Sequence, residues 1–103
     1  MDNKELIKLV KDSIKSEFTK KRISVPTNKI LKEKRGVFVT LTKHGELRGC
    51  IGFPYPILPL GEAIMQAAKS AAFSDPRFPP LNPKELPEIK IEISILSLPE
   101  KIQ

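Results

Sequence analysis

One segment restricts the possible folds of this chain more than any other, because its pattern is typical of a β-hairpin. It comprises residues 36–53, GVFVTLTKHGELRGCIGF. Residues 37–42 are β-branched or large and apolar, as strands favour. His44 and Gly45 fit a two-residue turn, since glycine readily takes the positive φ that such turns need. The cross-strand pairs that follow from this turn are Lys43–Glu46, Val39–Cys50 and Leu41–Arg48.

Alternation along the second strand predicts which side chains share a face of the sheet. One face is expected to carry Leu47, Gly49, Ile51 and Phe53, and the other Arg48, Cys50 and Gly52. Because residues i and i+2 point the same way in a regular strand, we expect Arg48 and Cys50 to share a face even if the cross-strand register is off by one.

Two helices and a further strand are predicted around this hairpin. Residues 3–20 place Leu6, Ile7, Val10, Ile14 and Phe18 on one helical face, with Asp2 and Glu5 as a capping pair. An Ala-rich helix begins near Pro59, and its small side chains allow close packing. EIKIEISIL, residues 88–96, alternates Ile89, Ile91, Ile93 and Ile95 with polar residues, as a half-buried strand does.

This order of elements predicts an α+β fold with an antiparallel or mixed sheet covered by the N-terminal helix and the Ala-rich helix. A chain of 103 residues is expected to form a single domain over residues 1–103. One cysteine excludes an internal disulfide and multi-cysteine metal sites, and the sequence offers no metal-ligand spacing or phosphate-binding glycine loop. We therefore expect no metal and no cofactor. No signal peptide or membrane span is apparent, so a cytoplasmic location is expected.

The net charge of +6 is concentrated in the N-terminal third of the chain, where residues 1–35 hold eleven Lys or Arg and five Asp or Glu. Such a distribution is compatible with nucleic-acid binding, although no aromatic residues are interleaved to stack on bases. A solvated, lysine-rich helix face is the alternative interpretation. The candidate nucleic-acid contacts are Lys8, Lys11, Lys15, Lys20, Lys21 and Arg22.

Three segments in order, LRGCIG at 47–52, AAFSDPRFPPL at 71–81 and IEISIL at 91–96, resemble the AMMECR domain family. The resemblance runs from the first helix to the end of the chain but covers about the N-terminal half of the family's domain. It implies an α+β fold and an intracellular protein, and it implies no particular activity or cofactor. Since the other half of the domain is absent, we expect an exposed sheet edge that a second copy or a partner would complete.

Cys50 is the candidate nucleophile, because nearby cations favour the reactive thiolate and Arg48 is expected on the same face. Gly49 and Gly52 would let a ligand approach closely. The alternative is that Cys50 is a small buried side chain and that the glycines serve packing. His44 lies too far along the strand to act as its base.

Asp75 and Arg77 flank Pro76 in a stiff loop, where they either hold a structural turn or face the Cys50 cleft as binding groups. Glu92 is expected either to form an ion pair with Arg48 or Arg77 or to orient a ligand. Three functions stay open: a cleft around LRGCIG that binds a small ligand or peptide-like group, a basic nucleic-acid-binding module, and a non-catalytic protein-interaction domain. Whether the chain is an enzyme is not decided by its sequence.

Overall fold

The computed structural model describes residues 3–23 and 25–96, which form two helices packed on one side of a three-stranded antiparallel sheet. The helices are α1 (Asn3–Thr19) and α2 (Leu60–Phe73). The strands are β1 (Val37–Lys43), β2 (Glu46–Phe53) and β3 (Ile89–Ile95), in the spatial order β2-β1-β3. The predicted α+β arrangement is confirmed, while the predicted Asp2 cap lies outside the described residues.

The core lies between the sheet and the apolar sides of the two helices. Side chains at the predicted helical spacing, such as Val10 and Ile14 of α1, are fully buried, and so are Ala63, Ala67 and Ala71 of α2. The rings of Phe18 and Phe73 meet edge to face with centroids 5.4 Å apart, which joins the two helices. The alanines bring α2 close to the strands, as their spacing predicts.

The hairpin turn forms at the predicted residues. His44 and Gly45 both have positive φ, 52° and 81°, as a type I′ turn requires. Lys43 pairs with Glu46, as predicted. The turn therefore sets the register where the hairpin begins, with His44 accepting a backbone conformation that glycine adopts more easily.

A β-bulge at Arg48 makes the rest of the predicted register wrong. Thr42 still pairs with Leu47, but Leu41 pairs with Gly49, and Thr40 pairs with Cys50. Arg48 is the extra residue, because nothing on β1 stands opposite it. An inserted residue interrupts strand alternation, which the regular pattern of the sequence did not reveal.

The bulge also separates Arg48 from Cys50, contrary to the prediction. Arg48 is 9% exposed and forms an ion pair with Glu85. Glu85 also contacts Lys43, which alternates onto the same face of β1 as its buried side chains. Cys50 instead pairs with Thr40, whose alternation places it on the side of the sheet that carries no helix. Leu47, predicted to share a face with Gly49, Ile51 and Phe53, is separated from Gly49 by the same bulge and is 41% exposed.

One face of the sheet, which we call the open face, carries no helix. The residues that alternate onto it are Phe38, Thr40, Thr42, Leu47, Cys50, Gly52, Lys90, Glu92 and Ser94. The buried Val37, Val39 and Leu41 point to the other side, towards the helices. A sheet with one covered face and one polar face follows from the alternation in β1 and β3.

The outer edge of β3 carries no further strand in the described part of the chain. Leu96 N–H donates to the Gly36 carbonyl at 2.9 Å. Because edge-facing and partner-facing backbone groups alternate along a strand, every second residue counted back from Leu96 bonds to β1. The backbone groups of Ile91 and Ile93 therefore point to the outer edge. Beside them, a groove of about 330 Å³ separates β3 from the start of α1.

Gly49 lets β2 lie directly against the backbone of α2. A Cβ atom at this position would lie 2.1 Å from the Ala71 carbonyl oxygen. A backbone carbonyl within a helix cannot move aside as a flexible side chain can, so only glycine fits. The small residue on β2 and the alanines of α2 thus depend on each other.

We predict that Gly49→Ala lowers the free energy of unfolding by about 3 kcal/mol, because the added methyl group forces α2 away from β2. Gly61→Ala is the matched control. Its Cβ would lie 3.4 Å from Val25 Cγ1, an ordinary contact, so the change should be neutral or stabilise α2 by up to about 1 kcal/mol. Urea unfolding measures both. Equal free energies for the two variants would contradict the close approach at Gly49.

Candidate functional site

Asp75 holds the middle of β2 through its backbone. Its Oδ2 accepts the Cys50 N–H at 3.1 Å, and its side chain is 2% exposed. β2 is an edge strand, and Cys50 points its N–H away from β1 because Thr40 and Cys50 form a non-hydrogen-bonded pair. Asp75 therefore takes the place that a neighbouring strand would fill.

Arg77 completes this arrangement at the strand edge. Its Nε and its backbone N–H each donate to Asp75 Oδ1 at 3.1 Å, and its Nη2 donates to Oδ2 at 2.8 Å. Nη2 also lies 3.5 Å from the Cys50 carbonyl oxygen. The Asp75–Arg77 pair thus contacts both edge-facing backbone groups of Cys50. The structure therefore places both residues beside Cys50, while their predicted role as binding groups stays a prediction.

The Arg77 guanidinium that donates to Asp75 is the main reason that the pKa of this carboxyl lies far below its ordinary value. Burial works in the opposite direction, while the backbone N–H groups of Arg77 and Cys50 add to the lowering. Asp75 in turn raises the pKa of Arg77. The pair stays fully ionised near neutral pH.

The Cys50 thiol lies on the open face, in a row of side chains that crosses all three strands. Its Sγ is 3.3 Å from Thr40 Oγ1, and Thr40 is paired on its other side with Glu92. Each step between strands is about 5 Å, so the row, which we call the thiol row, extends about 10 Å. Glu92 is exposed and forms no ion pair among the described residues. Its predicted pairing with Arg48 or Arg77 is therefore not found.

Gly52 and Phe38 form the next row of the open face. A Cβ on Gly52 would lie 2.1 Å from the Phe38 ring, which covers this glycine and remains 37% exposed. Gly52 therefore makes room for an aromatic ring of the same chain. The result is an apolar patch beside the thiol row.

Arg48 belongs to a different cluster, on the helix-covered side. Its Nε donates to Glu85 Oε2 at 3.0 Å, and Nη2 forms an ion pair with the same oxygen at 3.0 Å. Lys43 Nζ adds a contact to Glu85 Oε1 at 3.8 Å. This cluster ties the hairpin to the loop before β3. The predicted placement of Arg48 as a cation beside the Cys50 thiol is therefore wrong.

His44 lies at the hairpin turn, away from the Cys50 thiol. His44 Nε2 lies 3.4 Å from Glu88 Oε1 at the hairpin turn, as its distance along the strand predicts. No group of three or more His, Cys, Asp or Glu within residues 3–23 and 25–96 is arranged to hold a metal ion. In the same part of the chain no helix is long and apolar enough to cross a membrane.

Sequence reasoning missed three residues of this region: Thr40, Phe38 and Glu85. The correct register places Thr40 beside Cys50, but this pairing depends on the bulge at Arg48, which the sequence pattern does not indicate. Glu85 gave no signal in the sequence, because its contact with Arg48 joins residues 37 positions apart. The six basic residues of the nucleic-acid hypothesis are all exposed, and they lie on α1 and just after it.

Comparison with known proteins shows the family. The AMMECR1 family model matches residues 7–103. The chain belongs to the AMMECR1 family. The resemblance carried by LRGCIG and the two later segments is thereby confirmed, and in the structure these segments supply β2, the Asp75–Arg77 loop and β3.

Archaeal relatives of this AMMECR1-family chain are considerably longer. A Methanothermobacter thermautotrophicus protein is 43% identical over 105 residues, covering 99% of this chain and 55% of its own length. A Methanopyrus kandleri protein is 58% identical over 90 residues, covering 84% and 44%. The crystal structure of the uncharacterized protein PH0010 from Pyrococcus horikoshii has a TM-score of 0.82 at 43% identity, covering 95% and 52%. The chain thus spans about half the length of these relatives.

We predict that Asp75→Asn destabilises the fold at neutral pH, because an amide cannot accept all four hydrogen bonds of the carboxylate. The pKa of Asp75 is lower in the folded state than its ordinary 3.8. Its ionised form therefore stabilises the fold fully above about pH 4, and this stabilisation is lost as the pH falls further. The variant should lose less stability than the wild type between about pH 5 and about pH 2.5.

Urea unfolding at several pH values measures this difference. Asp12→Asn is the control, because the exposed Asp12–Lys8 pair should contribute less than about 1 kcal/mol. Identical pH profiles for wild type and Asp75→Asn would show that Asp75 does not hold the strand edge.

Proposed function

We propose that the open face of this domain binds a peptide-like group across the thiol row. The observation that supports the proposal most strongly is the exposed Glu92, which lies two strands from a half-buried thiol and has no ion-pair partner in the described part of the chain. An exposed carboxylate without a partner is free to receive a cationic group. The row offers a hydrogen-bonding hydroxyl between the two.

Arg77 supplies the opposite charge at the other end of the row. Its guanidinium is fixed by Asp75 but its side chain remains 55% exposed, so donor capacity is left for a ligand. A ligand with a carboxylate near Arg77 and an ammonium near Glu92 would lie along the row, which extends about 10 Å from Cys50 to Glu92. Phe38 adds an apolar contact beside the row. A short zwitterionic peptide combines these features.

Cys50 serves in this proposal as a contact and not as an activated nucleophile. Arg48, the expected activating cation, faces the other side of the sheet, and no histidine lies beside the thiol in the described residues. Cys50 lies on the face of the sheet that carries no helix, where it pairs with Thr40. An open surface of this kind suits binding better than chemistry that must exclude water.

A free thiol on a binding surface is best preserved in a reducing compartment, so we place this function in the cytoplasm. The family's remaining half, or a partner protein, would enclose the open face in this proposal. The chain by itself would then bind weakly. Affinity in the millimolar range corresponds to about 4 kcal/mol of binding free energy.

We predict that the tripeptide Ala-Ala-Ala shifts backbone amide signals of residues 38–42, 50–52 and 92–94 in NMR titrations of labelled protein. Acetylating its N-terminus should weaken binding about fivefold, because the ammonium that Glu92 receives is lost. Amidating its C-terminus should have a similar effect through Arg77. Shifts confined to other surfaces would contradict the proposal.

Glu92→Gln provides the matched test of the ammonium contact. In this variant the free and the acetylated peptide should bind equally, whereas Lys90→Gln, a change in the neighbouring row of the same face, should leave the preference intact. Loss of the preference in both variants would point to a general charge effect instead of the thiol row.

A further inference from the structure

The exposed side of α1 carries a row of four lysines, with the acidic Asp12 beside it. Lys4, Lys8, Lys11 and Lys15 recur at intervals of four, three and four residues, and all are exposed. These intervals place them one above another on the helix, over about 16 Å of its length. The buried side of α1 points the opposite way, into the core.

This line of like charges does not help the fold. Lysines three or four residues apart repel each other by a few tenths of a kcal/mol per pair. Lys8 is offset by Asp12, whose Oδ2 lies 3.0 Å from its Nζ, but Lys11 and Lys15 form no ion pair in the described part of the chain. Surfaces that serve only solubility usually mix both signs of charge.

The chain directly after α1 places two more cations beside the last turns of the helix. Lys20 has φ 59° and its N–H bonds to the Ser16 carbonyl at 2.8 Å, a helix end at which glycine is the favoured residue. The turn places Lys21 and Arg22 with Lys15 around a groove of about 350 Å³, which Asp12 also lines, so three cations there face one carboxylate. A lysine in the left-handed conformation costs stability relative to glycine, and here it accompanies a cluster of positive charge.

We propose that these residues, Lys4, Lys8, Lys11, Lys15, Lys21 and Arg22, form a basic strip that binds the phosphate backbone of nucleic acid. A linear series of cations matches a linear polyanion, whereas a small phosphate would need converging donors. No aromatic side chain lies along the strip to stack on bases, so binding is independent of base sequence. This site is separate from the thiol row.

A membrane surface is the less suitable polyanion. Helices that lie in a lipid interface insert an apolar face, and the apolar side of α1 is already packed against α2 and the sheet. The strip can therefore offer only charge. An acidic protein segment would lack the regular charge spacing of a nucleic-acid backbone.

The test is fluorescence anisotropy of a labelled 20-nucleotide single-stranded RNA of mixed sequence with the 103-residue chain. About five phosphate contacts predict a slope near −3.5 in a plot of log affinity against log salt, or about a 100-fold loss between 50 and 200 mM salt. Single-stranded DNA of the same sequence should bind with similar affinity. A salt-independent affinity, or no binding at 50 mM salt, overturns the proposal.

Two triple variants with the same change in net charge locate the surface. The first variant replaces three strip lysines by Gln, at Lys8, Lys11 and Lys15, and should weaken RNA binding at least tenfold. The second variant replaces three exposed lysines outside the strip by Gln, at Lys32, Lys84 and Lys90. It should change the RNA affinity less than threefold. Equal losses in the two variants overturn the assignment. Thermal unfolding checks that both variants fold.

Competition distinguishes nucleic acid from other polyanions. Polyglutamate and phosphatidylserine vesicles, at equal charge concentration, should displace the RNA far less effectively than unlabelled RNA does. Equal displacement by either competitor would overturn the nucleic-acid assignment and would indicate an acidic protein or a lipid surface as the partner.

Discussion

The hydrogen bond from the Cys50 N–H to the Asp75 carboxylate is the contact on which the arrangement of this domain's central segment depends. It occupies an edge-strand position that would otherwise face water or another chain. Arg77 fixes the carboxylate and contacts the neighbouring carbonyl, so two side chains replace a strand. Because this attachment uses the backbone of Cys50, it leaves the thiol free to face the open side of the sheet.

The two glycines around Cys50 are required by two different packing contacts, one on each side of β2. Gly49 admits α2 to one side of β2, and Gly52 admits the Phe38 ring to the other. Between these glycines, Cys50 donates its backbone N–H to Asp75 at the outer edge of β2. Packing and exposure are therefore combined in one segment: its backbone is tightly constrained, while its thiol joins Thr40 and Glu92 on a polar surface. Packing demands account for the glycines without requiring a catalytic cysteine.

Local sequence patterns predicted the elements well because they reflect local physics. The alternation of isoleucines in β3, the helical spacing in α1 and the His44-Gly45 turn each express a single regular geometry. The Arg48 bulge was unpredictable by the same logic, since an inserted residue leaves no mark on composition. It reversed the expected neighbours of Arg48 and hid the Thr40–Cys50 contact. Contacts between distant loops, such as Arg48 with Glu85, likewise have no local signal, whereas the family's motifs pointed to Asp75 and Arg77 together.

The rate at which iodoacetamide alkylates Cys50 tests the central claim most directly. Asp75 and the two glycines constrain the backbone while the thiol stays accessible, so the native rate should lie within about tenfold of the rate in denaturant. If native Cys50 reacts a thousandfold or more slowly, as when reaction awaits global unfolding, the thiol is part of the packed interior. That result would contradict both the open position of Cys50 and the binding surface built around it.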